Sequence, residues 1–213
     1  MNQYQKILAL LKEHYPNAKI ILNYSNNWEL LVAVVLSAQC TDIRVNLVTQ
    51  QLFRKYKTLN DYINANMQEF ENDIRSTGFF RHKAKSILAS AKIILDKYKG
   101  EIPKTMIEIL TLPGIARKSA NVILGNAYGV VEGIAVDTHV IRLSQRIGFS
   151  KNKDPLKIEK DLMKLFDKGD WFKLAFLLID HGRSICQAKK PKCQECFLNN
   201  ICPSAFAFPN FKG

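Results

Sequence analysis

Residues 81–100 read RHKAKSILASAKIILDKYKG. Apolar side chains fall at Ile87, Ala91, Ile94, Leu95 and Tyr98, a spacing that lines one face of an α-helix. Gly100 follows, and Pro103 lies just beyond. Together they make a stop signal, because glycine accepts the left-handed backbone that ends many helices and proline cannot continue one. The same periodicity recurs outward in both directions, over 4–15, 28–39, 42–56, 117–128, 138–147, 155–166 and 171–183. Asp42, Asp154 and Asp170 stand where helix N-caps are expected. No alternating strand pattern bounded by turn residues stands out, and there is no internal repeat, low-complexity tract or long linker. The expected fold is all-α with short connections.

The chain has 213 residues, enough for one sizeable core or two small lobes. Hydrophobic residues at 47 % and charged residues at 23 % are an ordinary globular balance. The sign of the charge is not ordinary: 31 Lys and Arg oppose 19 Asp and Glu, a net +12. Such a surface points to a polyanion, either nucleic acid or an anionic membrane. The longest apolar run, 30–38, is too short to span a bilayer. The opening MNQYQKILALLKEHYP is charged throughout and lacks a signal-peptide core, and no lipidation motif is present. The expected location is cytoplasmic, where thiols stay reduced and clustered cysteines suggest metal before disulfide.

Four of the five cysteines crowd together as Cys186, Cys193, Cys196 and Cys202, in the pattern C-x6-C-x2-C-x5-C. Tetrahedral zinc and a four-iron cluster both accept four thiolates. Zinc ribbons favour two close pairs, and here only Cys193 and Cys196 are close, so zinc fits less well. Between the first two cysteines, QAKKPK places Lys189, Lys190 and Lys192 on a short, metal-pinned turn. A pinned loop loses less entropy on meeting phosphate than a flexible basic tail does.

Residues 111–120 read TLPGIARKSA. A helix ending near Leu110, a Pro-Gly turn and a second helix from about Arg117 would present backbone N–H groups to an anionic phosphate. Gly114 removes the side chain that would block close approach. Alone this signal is weak. Alone, too, Lys118 reads as a surface lysine and Asp137, before the next helical pattern, as an N-cap.

Taken together the motifs are specific. They are LLVAVVLSAQCTD over 30–42, TGFFRHKAKSI over 77–87, LPGIARKSANVILGNAYG over 112–129, IAVDTHVIRL over 134–143, HGRSIC over 181–186, and the cysteine run. In these the chain resembles, nearly end to end, the endonuclease III family of DNA glycosylases within the helix-hairpin-helix superfamily. The resemblance implies two helical lobes flanking a DNA-binding cleft. One is a six-helix barrel over 21–130 with the hairpin at 111–120. The other combines 1–20 with 131–213 and carries a 4Fe-4S cluster on the four cysteines.

The resemblance also implies base-excision repair of double-stranded DNA by a monomer, with oxidised pyrimidines such as thymine glycol as substrates. The damaged base is flipped out because its target carbon is inaccessible in the stack. Gln39 matches the position that fills the vacated space, and Phe79 stands where relatives usually carry a leucine wedge. Lys118 matches the nucleophile that forms a Schiff base and cuts 3′ to the abasic site by β-elimination. Burial, the neighbouring Arg117 and the helix N-terminus are expected to lower its pKa. Asp137 matches the catalytic carboxylate, which is expected in the cleft and not as an exposed cap. His139 helps place a backbone phosphate. Two rival readings keep the same cleft: a monofunctional glycosylase for mismatched or alkylated bases, which lacks this lysine, and a non-catalytic DNA-binding module. A zinc-stapled structural protein is a third. Two positions depart from the family pattern. Ala116 replaces the second hairpin glycine, a substitution costing about 1 kcal/mol if that residue needs positive φ. Cys40 occupies a site usually given to small residues, and is expected to be a buried neighbour of Gln39 and no fifth ligand.

Overall fold

The structure is a computed structural model and describes residues 2–207. It contains α1 (Gln3–His14), α2 (Asn27–Leu36), α3 (Asp42–Lys55), α4 (Leu59–Ile63), α5 (Met67–Asp73), α6 (Phe80–Tyr98), α7 (Met106–Ile109), α8 (Arg117–Tyr128), α9 (Thr138–Ile147), α10 (Pro155–Leu165) and α11 (Lys168–Ser184). Among the described residues there is no strand, and no helix is long and apolar enough to cross a membrane. The chain forms two compact units. One is Ile21–Glu132; the other joins the residues up to Ile20 with those from Gly133 on.

In the 21–132 unit, α2 is the central element. Trp28 and every residue from Leu30 to Leu36 are buried, so this helix is apolar all round, as a core helix must be. Helices α3, α6 and α8 pack against it. Each fully buried Leu or Val contributes about 1.5–3 kcal/mol relative to exposure. Trp28, Tyr56, Tyr62 and Phe70 form a cluster of edge-on and tilted ring contacts with centroids 5.0–5.8 Å apart. Helix α6 buries Ala84, Ile87, Ala91 and Ile94 and ends as its sequence predicts, with Lys99 at φ 54 and Gly100 at φ 85. Leu95 departs from the expected face and is 39 % exposed. The buried stripe is centred on Ile87, Ala91 and Ile94, and Leu95 lies about 100° further round.

Three other expectations need correction. Thr41, not Asp42, caps α3, its hydroxyl accepting from Arg44 N–H. Asp167 precedes α11, while Asp170 sits in the first turn and pairs with Lys12 at 2.5 Å. Helix α2 stops at Leu36, three residues before Gln39. Asp154 does cap α10, accepting from Lys157 N–H at 2.9 Å.

In the second unit, α11 packs on α1, α9 and α10. The buried residues are Ile7, Leu8 and Leu11 of α1, Val140, Leu143 and Ile147 of α9, and Leu174, Leu177 and Leu178 of α11. Gly182 sits close to α9. A Cβ there would come 2.8 Å from His139 Nδ1 and 2.9 Å from Arg142 Nη2, so only glycine admits these two side chains.

Candidate functional site

The hairpin lies between α7 and α8. Gly114 takes φ 78, and a Cβ on it would lie 2.9 Å from both Cβ and Oγ of Ser86. Both backbone and space therefore exclude a side chain there. Ala116 is different. It is the N-cap of α8 with φ −103 and ψ 169, extended backbone that any residue adopts. The missing second glycine costs no backbone strain. Alanine offers no capping oxygen, and no side chain caps α8. The N-terminal amides of α8 are thus presented to an external acceptor such as a phosphate oxygen.

Lys118 is the second residue of α8, in the turn next to those amides, and its side chain is exposed. The burial expected of this lysine is therefore not found. Arg117 precedes it and reaches Glu132 O at 3.4 Å.

Gln39 and Phe79 both adopt the left-handed backbone, with φ 53 and φ 47. Such conformations are strained for non-glycine residues and persist only where surrounding structure enforces them. Both side chains are exposed, Phe79 by 66 %. They border a hollow of about 240 Å³ whose lining also includes Lys83, Ser86 and Gly114. The Gln39 loop, the Phe79 loop and the hairpin turn therefore meet at one place in this unit. Cys40, beside Gln39, is half-buried and lies in the unit that lacks the other four cysteines. A larger hollow of about 790 Å³, lined by α3 and the segment before α2, contains none of the residues singled out by sequence.

In the other unit, Asp137 is the N-cap of α9. Its Oδ1 accepts from Val140 N–H at 2.8 Å, and the residue is half-buried. Capping was the reading of this aspartate taken alone, and it uses one carboxylate oxygen. His139, two residues on, has its Nδ1 3.1 Å from Arg142 Nη2. Arg142 also donates to the carbonyls of Gly182 and Cys186. Arg146 donates to Gln187 O at 2.8 Å and Ala188 O at 2.9 Å, and approaches Cys186 Sγ at 3.4 Å. These bonds, with buried Pro191, pin the loop that carries exposed Lys189, Lys190 and Lys192. Lys192 also lies 3.8 Å from Glu195.

Cys186, Cys193, Cys196 and Cys202 line one hollow together with Ile147 and Leu198. None is in a disulfide. Among the described residues, no three His, Cys, Asp or Glu side chains group closely enough for a single metal ion. Tetrahedral zinc would need its sulfurs within about 3.8 Å of one another, given Zn–S bonds near 2.3 Å. Four free thiols round one apolar hollow are a donor set that a four-iron cluster accepts. Burial pushes the Cys196 thiol up to about 11 and raises that of Cys202 as well. A metal centre that binds the thiolates would remove those protons. His181 is buried behind them, with Nε2 3.6 Å from Cys196 Sγ and Nδ1 3.0 Å from Tyr15 Oη.

Sequence reasoning missed Lys83, Arg142, Arg146 and His181. Arg142 and His181 lie within motifs already quoted and Arg146 three residues beyond one, but they bond to backbone carbonyls, a thiol and a tyrosine hydroxyl more than ten residues away, which periodicity does not reveal.

A helical barrel with a glycine hairpin, and a cysteine-lined unit made from both chain ends, define a helix-hairpin-helix protein with an iron–sulfur domain. Residues 32–168 match the HhH-GPD superfamily of base excision DNA repair proteins, and 186–202 match the iron–sulfur binding domain of endonuclease III. Endonuclease III of Synechocystis sp. is 52 % identical over 202 residues, covering 95 % of this chain and 92 % of the relative. That of Bacillus subtilis is 45 % identical over 203 residues, covering 95 % and 92 %. A solved endonuclease III–DNA covalent intermediate superposes with a TM-score of 0.90 at 44 % identity, covering 96 % of this chain and 98 % of that one. A thermostable thymine-DNA glycosylase, at 20 % identity and a TM-score of 0.84, shares the fold. The chain belongs to the endonuclease III family, bifunctional DNA glycosylases and abasic-site lyases of base-excision repair that carry a 4Fe-4S cluster.

Proposed function

We propose that this protein removes oxidised pyrimidines from double-stranded DNA as a monomer in the cytoplasm, with Lys118 as nucleophile. The Lys118 amine attacks C1′ of the sugar, and the bond from C1′ to the base breaks with its electron pair leaving on the base. The sugar ring opens to an imine between C1′ and Nζ. Loss of a proton from C2′ then breaks the C3′–O bond, so the strand is cut 3′ to the site. Asp137 helps the amine lose its proton or stabilises positive charge developing on the sugar. Its Oδ1 caps α9, leaving Oδ2 for this task. Exposed Lys118 gains its desolvation from the bound DNA.

Gln39 and Phe79 enter the duplex, and the amides at the start of α8 grip a backbone phosphate beside Gly114 and Ala116. His139, Lys189, Lys190 and Lys192 hold further phosphates. Cys186, Cys193, Cys196 and Cys202 would hold the cluster, and binding it would tie the segment 186–202 together. The observation that carries this reading is Lys118 in the first turn of an uncapped helix, directly after the glycine turn. A relative captured as a covalent complex with DNA supports the same chemistry.

The test is borohydride trapping on a duplex with one abasic site. A covalent adduct is expected from the native protein and none from Lys118→Gln. If well-folded, cluster-loaded protein binds the duplex and gives no adduct, the lyase assignment fails and a monofunctional glycosylase takes its place.

A further inference from the structure

Lys83 stands one turn before Ile87 on the buried face of α6 and is only 6 % exposed, which is unusual for a lysine. Its Nζ donates to Leu36 O and to Thr77 O, each at 2.8 Å. Leu36 is the last residue of α2, and Thr77 is the last of the 3-10 turn Arg75–Thr77. Carbonyls at helix ends have run out of intrahelical donors and carry the negative end of the helix dipole, so one buried ammonium satisfies both. α2 has no basic residue of its own in its last turn. The main-chain N–H of Lys83 also donates to Phe79 O at 3.1 Å.

The two tethered carbonyls have a common sequel. Three residues after Leu36 the chain reaches Gln39 at φ 53, and two after Thr77 it reaches Phe79 at φ 47. Among the described residues only four non-glycine residues have positive φ, and Lys83 anchors the loops that carry two of them. Both loops and Lys83 border the same hollow. Burial lowers the lysine's pKa, while nearby Cys40 acts in the opposite direction.

We propose that Lys83 is a positioning residue that fixes the spacing of Gln39 and Phe79, so that the two enter the duplex as a preformed pair. The inference rests on the reading of those two residues as the inserted ones. Without the tether, each loop must order itself against the DNA, and insertion loses its preorganisation. Lys83 touches neither base nor sugar.

The test compares two substrates under single turnover: a duplex with an oxidised pyrimidine, which requires insertion, and an abasic site in single-stranded DNA, which does not. Lys83→Met keeps the apolar stem and removes both bonds. It is expected to slow duplex base release by roughly tenfold or more, the scale of a lost charge-assisted bond, and to leave single-strand cutting within about twofold. A merely structural lysine would lower both rates together, and that result, or no change in either, overturns the inference. If Lys83→Met does not fold, Lys83→Gln is read in the same way. In a Gln39→Ala, Phe79→Ala background, Lys83→Met should add nothing, and an additive loss counts against it. That double variant also separates the two claims. If it processes the duplex at the native rate, the insertion reading falls and the inference falls with it. If it is impaired while Lys83→Met is not, the inference alone fails.

Discussion

Gly114→Ala places a methyl group where the hairpin has no room for one. Two costs add. An L-residue at φ 78 pays about 1–2 kcal/mol for the left-handed backbone. The new Cβ would also lie 2.9 Å from Ser86 Cβ, which is fixed on the buried face of α6 and cannot swing aside. Forcing a methyl into such a contact costs about 1–3 kcal/mol. The expected total is about 2–5 kcal/mol. If the turn keeps its shape, the loss appears in urea unfolding followed by circular dichroism. If the turn relaxes, it appears in affinity for an abasic-analogue duplex, where 2 kcal/mol is about thirtyfold. Ala116→Gly is the control. Its backbone is extended, so no strain is released, and glycine caps better than alanine; stability should hold or rise by up to about 1 kcal/mol and affinity stay within about twofold. Native stability and affinity in Gly114→Ala, or a tenfold gain in affinity from Ala116→Gly, would refute the assignment of the turn's strain to Gly114 alone.

Asp137→Asn separates capping from chemistry. Asparagine caps as well as aspartate, so the melting temperature should hold, while base release falls by about a hundredfold or more; a parallel loss of both would make Asp137 a structural residue. Replacing Lys189, Lys190 and Lys192 with Gln should flatten the plot of log affinity against log salt by up to about 2.7, at about 0.9 per phosphate contact. An unchanged slope would take the loop off the DNA. Asp161 accepts from Ser150 Oγ and Asn152 Nδ2, which lower its carboxyl pKa. Because the folded pKa lies below the unfolded one, the stabilisation is full above about pH 4 and fades as pH falls through the lowered value. Asp161→Asn should therefore be less stable than the native protein at pH 7 and converge with it in acid, and a gap that persists in acid would contradict this cause.

The long helices were legible because burial repeats along them at the helical period. α8 and α9 begin and end where 117–128 and 138–147 predict. α4, α5 and α7 were not, since four to seven residues hold too few turns for a period. Caps were legible only within a few residues. A run such as Thr41-Asp42 offers two competent oxygens, and only the path of the chain selects one. The motifs that match the family pointed to Gln39, Phe79 and Lys118, but not to their surroundings. Left-handed backbone at a glutamine and a phenylalanine has no signature in residue type, unlike the same conformation at Gly114. Lys83 was hidden for the same kind of reason: lysine normally marks the solvent face, and only the three-dimensional placement of two helix ends makes its burial favourable.

The second unit joins segments that lie far apart in the sequence, the residues up to Ile20 and those from Gly133 on. His14 of α1 stacks on Phe197 with ring centroids 3.7 Å apart, and Tyr15 bonds to His181 and Ser184. During synthesis α1 must wait for about 180 more residues, roughly 10–40 s at 5–20 residues per second. The 21–132 unit, continuous in sequence, emerges whole within that interval and is able to close its core first. Ile7, Leu8 and Leu11 stay without their packing partners until α11 leaves the ribosome. The cysteine run arrives later still. Birth order therefore lets the continuous unit fold before the four thiols can meet iron, so a shortage of iron would be felt in the second unit and not in the first.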